Sequence, residues 1–350
     1  MKIGITIHSL TPHVAALAKE AEESGYSSVW CAEMPTAQGD VFACMAVAAT
    51  VTERIGIGSL VTTAATRTPL ATANGALTIN ALAPGRTYIG FGNGTFARNL
   101  AGQPFLPFST FRAHLQTLCQ LVREGEADVE AGEGKTSRAR FVYRDENYLR
   151  LEPRVPIYPV SNGPRGLRLA GELGDGLAGA SIPDIDYVAS LYRTAVEARG
   201  SAENFPFVYD TPVCLLRDDE TLESPRVVEH TGQFVAMMIK LSAAGVYPQS
   251  ALPAALRPQA EKYVKRLATL SAQERHMKLW STPYTLAPDE RELVTPEAIR
   301  AVAIVGDRTD VIGHIKELEK VGVTELLMDI NVAIPFDVLR DCAEDIVGRV

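Results

Sequence analysis

No stretch of the chain is apolar enough to cross a bilayer: a spanning helix needs about 18 consecutive apolar residues, and no such run occurs. Basic clusters are missing too. The 34 Lys and Arg are dispersed among 42 Asp and Glu, and the net charge is −8. Sequence-independent nucleic-acid binding needs a basic footprint, so that class is excluded. Cysteine is sparse: Cys31, Cys44, Cys119, Cys214 and Cys342 are scattered, odd in number and without a C-x-x-C pair. Reduced thiols are expected, with neither a disulfide framework nor a zinc site. His13, His114, His230, His276 and His314 form no ligand spacing such as H-E-x-x-H, and no metal is expected. No basic segment followed by an apolar one precedes the first strand-like run, so a cytoplasmic protein is expected. What the chain does have is apolar mass. Of its 350 residues 46% are hydrophobic and 22% charged, which suits a soluble protein with a large core.

Strand-like runs alternate with amphipathic helical stretches. "KIGITI" (Lys2 to Ile7) precedes a helix whose apolar positions Val14, Leu17, Ala18 and Ala21 stop at Gly25. "SSVWCA" (Ser27 to Ala32) is the second strand, followed by an Ala-rich helix from Val41 to Thr50. "IGIGSLVT" (Ile55 to Thr62) and a helix from Pro69 to Leu82 lead to "GRTYIGFG" (Gly85 to Gly92) and a helix from Ser109 to Glu124. "EGEADVEAGEGKTSR" (Glu124 to Arg138) reads as a charged surface loop, and "FVYRDENYLRLEP" (Phe141 to Pro153) as a hairpin. Four further strands follow: "VPIYPV" (Val155 to Val160), "GLAGA" (Gly176 to Ala180), "FPFVYDTPVCLLR" (Phe205 to Arg217) and "TELLMDI" (Thr324 to Ile330), the last after a helix from Asp307 to Val321. Eight strands alternating with helices predict an α/β fold, a (β/α)8 TIM barrel forming one domain over 1–350. An open doubly wound sheet would alternate in the same way.

From about Ser224 to Arg300 no strand is expected, only helical segments. This helical insertion follows strand seven, on the face where barrel active sites are built, and would serve as a lid, as extra packing or as a dimer contact. Phe234, Met237, Met238, Ile239 and Trp280 within it would shape an apolar pocket or, with the same spacing, fill a helical core.

Two motifs carry the candidate chemistry. In "GRTYIGFGNG" a strand ends in glycines, which let backbone approach a ligand closely. The spacing is G-x-G-x-G, and "TFARNLAGQPFLP" does not look like a helix start, so a dinucleotide fingerprint is disfavoured. A planar ring fits the strand end better, and a tight βα turn would use the same glycines. In "VSNGPRGLRLAGELGDG" (Val160 to Gly176), Ser161, Asn162, Gly163 and Arg165 precede or open a helix. Hydroxyl, amide and backbone donors there make an anion site, and ordinary N-capping needs the same residues. "GAS" (Gly179 to Ser181) is a second candidate for phosphate contacts.

Taken together, these segments resemble the luciferase-like family, whose reductase branch includes methylenetetrahydromethanopterin reductase. The resemblance is carried by Gly58 to Gly94, Val155 to Ser181 and Val305 to Met328. It implies a flavin, or the deazaflavin coenzyme F-420, at the C-terminal mouth of the barrel. It also implies a non-prolyl cis peptide at Leu60-Val61, with Thr62 beside the ring. Gly92, Asn93, Gly94 and Thr95 would line that ring; Ser161, Gly163 and Arg165, with Gly179 and Ala180, would hold the phosphate. A homodimer or higher homo-oligomer is implied as well.

The departures bear on mechanism. Luciferase-type monooxygenases often carry E-H-H after strand two, where this chain has Glu33, Met34 and Pro35. The His after strand two and the Glu after strand four of several deazaflavin dehydrogenases are also missing at the matching positions. His8 and Glu33, at the ends of strands one and two, remain as candidate catalytic groups. The expectation favours a monooxygenase using reduced FMN from a separate flavin reductase. The alternatives are a deazaflavin-dependent hydride-transfer enzyme and a non-catalytic flavin-binding protein.

Overall fold

Alternating side-chain direction along the strands builds the architecture. The computed structural model describes residues 1–143, 148–281, 284–330 and 332–350. Its strands are β1 (Lys2–Thr6), β2 (Ser28–Cys31), β3 (Gly56–Thr63), β4 (Thr87–Gly92), β5 (Glu126–Glu130), β6 (Thr136–Arg140), β7 (Ile157–Pro159), β8 (Leu177–Ala180), β9 (Phe207–Leu215), β10 (Ile304–Gly306) and β11 (Glu325–Asp329). All pairs outside the β5–β6 hairpin are parallel, in the order β9, β11, β1, β2, β3, β4, β7, with β8 on the other edge of β9. A single bridge between Val160 and Ala178 joins β7 to β8 and brings the ring round. The result is an eight-stranded parallel barrel, and the seventh of its strands is β9.

One side-chain set on each strand, such as Ile3, Ile5, Ile57, Ile89, Phe207 and Leu326, packs in a shell with the surrounding helices. The other set fills the lumen: Trp30, Leu60, Tyr158, Ala178, Val208 and Leu327, with Val61, Tyr88 and Val160 against them. Trp30, Tyr88 and Tyr158 stack there with ring centroids 6.0 to 6.4 Å apart. The barrel is therefore a packed core, and only its mouth is open to chemistry.

The barrel helices are α1 (Val14–Glu23), α2 (Val41–Val51), α3 (Pro69–Leu82), α4 (Thr95–Leu100), α5 (Phe108–Glu124), α6 (Pro164–Leu173) and α7 (Ile185–Arg199). Their starts follow local chemistry: Asp40, Thr68 and Asp184 accept from the backbone N–H three residues on, capping α2, α3 and α7. After β9 come α8 (Pro225–Ala243), α9 (Arg257–Leu267), α10 (Ala272–Trp280) and α11 (Pro296–Val302), with no strand between them among the described residues. Then α12 (Arg308–Lys320) and α13 (Pro335–Asp345) close the chain. Among the described residues no helix is long and apolar enough to cross a membrane. All five cysteines are buried and unpaired, and burial pushes the Cys119 thiol up to about 11.

Two local expectations need correction, a third falls partly outside the described residues, and one short strand was not foreseen. Glu124 to Arg138 is no loop: it contains the antiparallel β5–β6 hairpin, held by exposed ion pairs from Arg138 to Glu126 and Asp128. The hairpin expected over Phe141 to Pro153 has its turn, 144–147, outside the described residues, and the described flanks form no strand. A helix, α4, does open straight after Gly94, whose φ of 72° supplies the left-handed cap. The three-residue β10 pairs with Val213–Leu215 at the end of β9; so short a run carries no periodicity to read.

Candidate active site at the barrel mouth

Strands β3 and β4 form one wall of the mouth. Their register shifts between Ser59 and Thr62, and the Leu60-Val61 peptide within that stretch is cis. Val61 lies against Gly92, where an added Cβ would come within 3.1 Å of its Cγ2. Gly90 is tighter still, since a Cβ there would sit 2.3 Å from the Ser59 carbonyl oxygen. These glycines let β4 press against β3 without a side chain between them. Asn93 then accepts from the Thr95 N–H and hydroxyl at 3.1 and 2.8 Å, setting the turn into α4.

Glu33 holds this wall from below. Its carboxylate is 5% exposed and accepts from the Thr62 hydroxyl (2.7 Å), the Thr63 N–H (3.0 Å) and Arg67 Nε (2.6 Å). Its own N–H donates to the Val61 carbonyl at 3.0 Å. Arg67 also pairs with Asp40, the cap of α2. Both Glu33 oxygens are thus occupied, and the residue ties β2, β3 and α2 together around the bulge.

The N-terminus of α6 is the second feature. Gly163 caps the helix without a side-chain bond, and Pro164 stands at its first turn. Nothing lies within 4 Å of a Cβ built on Gly163, so its side-chain direction is open, and the Gly163 N–H donates to Ser161 Oγ at 3.2 Å. Gly166 allows Ser161 to tuck in, since a Cβ there would meet Ser161 Oγ at 2.1 Å. Asn162 donates from Nδ2 to the Ala180 carbonyl (3.0 Å) and to Tyr247 Oη (3.3 Å). Its Oδ1 is buried and has no hydrogen-bond partner among the described residues. Arg165 lies over the Phe108 ring, 4.2 Å from its centroid.

Across the mouth, β1, β9 and β11 present polar side chains instead of glycines. Asp210 shares the lumen-facing parity of Val208 on β9, and Asp329 that of Leu327 on β11. Thr6 donates to Asp210 Oδ1 at 2.6 Å. His8 follows β1 with a φ of 53°, a left-handed conformation rarely taken outside glycine. Its Nε2 meets Asp329 Oδ1 at 2.8 Å and its Nδ1 meets Gln38 Nε2 at 3.2 Å. Gln38 Nε2 can only donate, so the Nε2 proton of the ring points at Asp329. Burial, together with the Asp329 charge, holds the Asp210 carboxyl well above the usual carboxylate range, against the pull of the Thr6 hydroxyl.

The insertion closes over this side. Tyr284 sits 5.1 Å from the His8 ring and 6.2 Å from Phe96 of α4, and Phe96 packs on Trp280 at 5.2 Å. Phe234, Ile239 and Trp280, with Met237 and Met238 packed against them, belong to a hydrophobic cluster shared with Met34, Ala97 and Leu100. They are a core in their own right, whose edge forms the aromatic wall of the mouth.

The family model for luciferase-like monooxygenases matches residues 8–325. The chain belongs to the luciferase-like family. It is 26% identical to a 5,10-methylenetetrahydromethanopterin reductase of Methanopyrus kandleri over 356 residues, covering 96% of this chain and 93% of the relative. The solved coenzyme F-420 dependent tetrahydromethanopterin reductase from that organism superposes with a TM-score of 0.73 at 20% identity, covering 99% of this chain and 98% of the other. The FMN complex of the oxygenating constituent of 3,6-diketocamphane monooxygenase from Pseudomonas putida gives 0.63 at 16%, covering 100% and 98%. This luciferase-like chain is accordingly an oxidoreductase on a TIM barrel.

Within that luciferase-like barrel, the structure gathers Leu60, Val61, Thr62, Gly92, Asn93, Gly94 and Thr95 on one wall. The Thr62 hydroxyl donates to Glu33 and so can only accept from a ligand. Ser161, Asn162, Gly163, Arg165 and Ala180 lie together on the next two strand ends. Gly179 instead faces Tyr209 on the outer side of β8, with 3.2 Å left to an added Cβ. Asp210, Asp329, Arg67 and Tyr284 are additional to the residues singled out from sequence. A lone carboxylate at a lumen position of "FVYDTPV" was the signal available for Asp210.

Proposed function

We propose that this protein is a deazaflavin-dependent oxidoreductase transferring hydride between coenzyme F-420 and a small organic substrate. The observation that carries the reading is the cradle at α6: an open helix N-terminus beside a buried Asn162 oxygen lacking a donor. A ribityl phosphate supplies both missing partners, with its anion on the helix N-terminus and a hydroxyl donating to Asn162. FMN and the deazaflavin both carry that group. The relative matching nearly the whole chain favours the deazaflavin, so the FMN, oxygen and flavin-reductase reading gives way to it.

In this reading the ring rests on Val61 and the backbone of Gly92 to Thr95, and Ser161, Gly163 and Arg165 hold the phosphate. When bound, the coenzyme supplies a two-electron hydride donor or acceptor. The chain's own residues orient it: Glu33 and Arg67 fix the bulge, and the aromatic wall of Phe96, Trp280 and Tyr284 keeps water from the mouth. Titration of the protein with F-420 and FMN, oxidised and reduced, followed by fluorescence, tests the proposal. Micromolar binding of the deazaflavin with FMN binding at least tenfold weaker is expected. Preference for reduced FMN would restore oxygen chemistry, and binding of neither would remove the cofactor assignment.

A homodimer is part of the same proposal. Helices α2 and α3 pack side by side and leave Val47, Val51, Leu70 and Leu82 exposed, apolar side chains that a second copy would cover. Sedimentation equilibrium of the wild type and of Val47→Glu with Leu70→Glu should give a dimer and a monomer, respectively.

A further inference from the structure

Three carboxyl groups and one imidazole are buried or half-buried at the mouth, and they are not equally free to exchange a proton with a substrate. Glu33 has both oxygens engaged by Thr62, Thr63 and Arg67. His8 has both ring nitrogens engaged by Asp329 and Gln38. Asp329 Oδ1 takes the His8 N–H at 2.8 Å. Asp210 is different. It is 6% exposed, its Oδ1 takes the Thr6 hydroxyl, and its Oδ2 has no hydrogen-bond partner among the described residues, on a strand position that shares the lumen-facing parity of Val208. Among the described residues no Lys or Arg forms an ion pair with Asp210 or Asp329. Two carboxyl groups sharing a low-dielectric site do not both ionise, and the proton stays on the one with the weaker donors, here Asp210 with its single hydroxyl.

We propose that Asp210 carries the proton that accompanies hydride transfer, and that the substrate therefore offers a C=O or C=N bond in the reducing direction. This rests on the hydride-transfer reading above. Hydride from the reduced deazaflavin forms a C–H bond at the electrophilic carbon, so the substrate is reduced and the coenzyme oxidised. The π pair moves onto the oxygen or nitrogen, which takes the proton from Asp210 Oδ2 and leaves a carboxylate. In the oxidising direction that carboxylate takes the proton of a C–OH or C–NH group. His8 is a positioning residue: it fixes Asp329, whose charge keeps the Asp210 proton in place. The groups that act on Asp210 are Thr6 at the end of β1 and Asp329 on β11, with His8 and then Tyr284 beyond Asp329; its neighbour on β8, Ala180, adds no charge.

Infrared difference spectra across a pH titration of the unliganded protein test the protonation directly. A protonated-carboxyl band at neutral pH is expected in the wild type and absent in Asp210→Asn. Its midpoint should move down in Asp329→Asn, which removes the repulsion, and up in Thr6→Val, which removes the stabilising hydroxyl. The thermal transition of each variant reports folding. Single-turnover oxidation of reduced F-420 by a panel of small aldehydes, ketones and cyclic imines then tests the role. Asp210→Asn should slow hydride transfer by about 100-fold or more, the scale of general-acid catalysis, with F-420 affinity within about threefold of wild type and partial rescue by Asp210→Glu. A band that survives in Asp210→Asn, or wild-type rates in that variant, overturns the proposal. Failure of the wild type to bind F-420 overturns the cofactor reading instead, and the infrared result still decides whether Asp210 holds a proton.

Discussion

The molecule buries carboxyl groups in two regions and treats them in opposite ways. In the insertion, Glu290 is fully buried and receives Lys240 Nζ at 2.9 Å, Tyr263 Oη at 3.3 Å and the Ala287 N–H at 3.3 Å. It ties a turn at Pro288–Leu293 to α8 and α9, and every partner is a donor. At the barrel mouth Asp210 has one donor, Thr6, and a like-charged neighbour. A satisfied buried ion locks elements together, whereas an under-satisfied one stores a protonation state for use.

The sharpest way to break the comparison is to remove one partner from each region. Lys240→Met should cost about 3–5 kcal/mol in urea unfolding, because it strands Glu290 in the interior. Adding Glu290→Met should return most of that loss. Glu33→Ala, which frees Arg67 and two donors at the bulge, should cost about 2–3 kcal/mol and weaken F-420 binding in the fluorescence titration.

Smaller effects sharpen the contrast through pH. Burial, together with the Arg226 charge, pushes His230 of α8 from 6.5 down to about 3. Its folded value is depressed, so the stability it confers is present above 6.5 and lost as pH falls towards about 3. His230→Gln should flatten the acid limb of a stability–pH curve. Asp210 is raised, so its contribution is complete below the unfolded value of 3.8 and is lost as pH rises through the folded one. Asp210→Asn should flatten the alkaline side and leave the protein no less stable at neutral pH. Flattening of the acid limb in that variant would instead mean that Asp210 is ionised when folded.

Most of the barrel was legible because its strands are β-branched runs buried on both faces, and all eight appear where Lys2 to Ile330 suggested. The β5–β6 hairpin was not, because its alternation is confined to Ala127 and Val129 of β5, and β6 is almost wholly exposed and polar. Helix α4 was hidden behind Gly94, whose positive φ imitates a turn. At the site, the strand-end positions of His8 and Glu33 pointed to the mouth. What they bind there depends on Asp329 and Arg67, respectively 321 and 34 residues away in the chain. Asp210 sat unnoticed inside an apolar strand because its role follows from parity against Val208 and from the Asp329 beside it, neither of which is a local property.

Helices α8 to α11 leave the barrel after Leu215 and come back at Ile304, and β10 pairs with the very strand end they left. Departure and return lie one strand spacing apart, about 4.8 Å, so the barrel registers none of the path between. Closing such a loop costs only slightly more as it lengthens. The segment behaves as a cassette: evolution, or an engineer, can exchange it for another that meets the same two ends. Substrate preference could then change wholesale while β1, β9 and β11 keep the acid and β3, β4 and α6 keep the coenzyme.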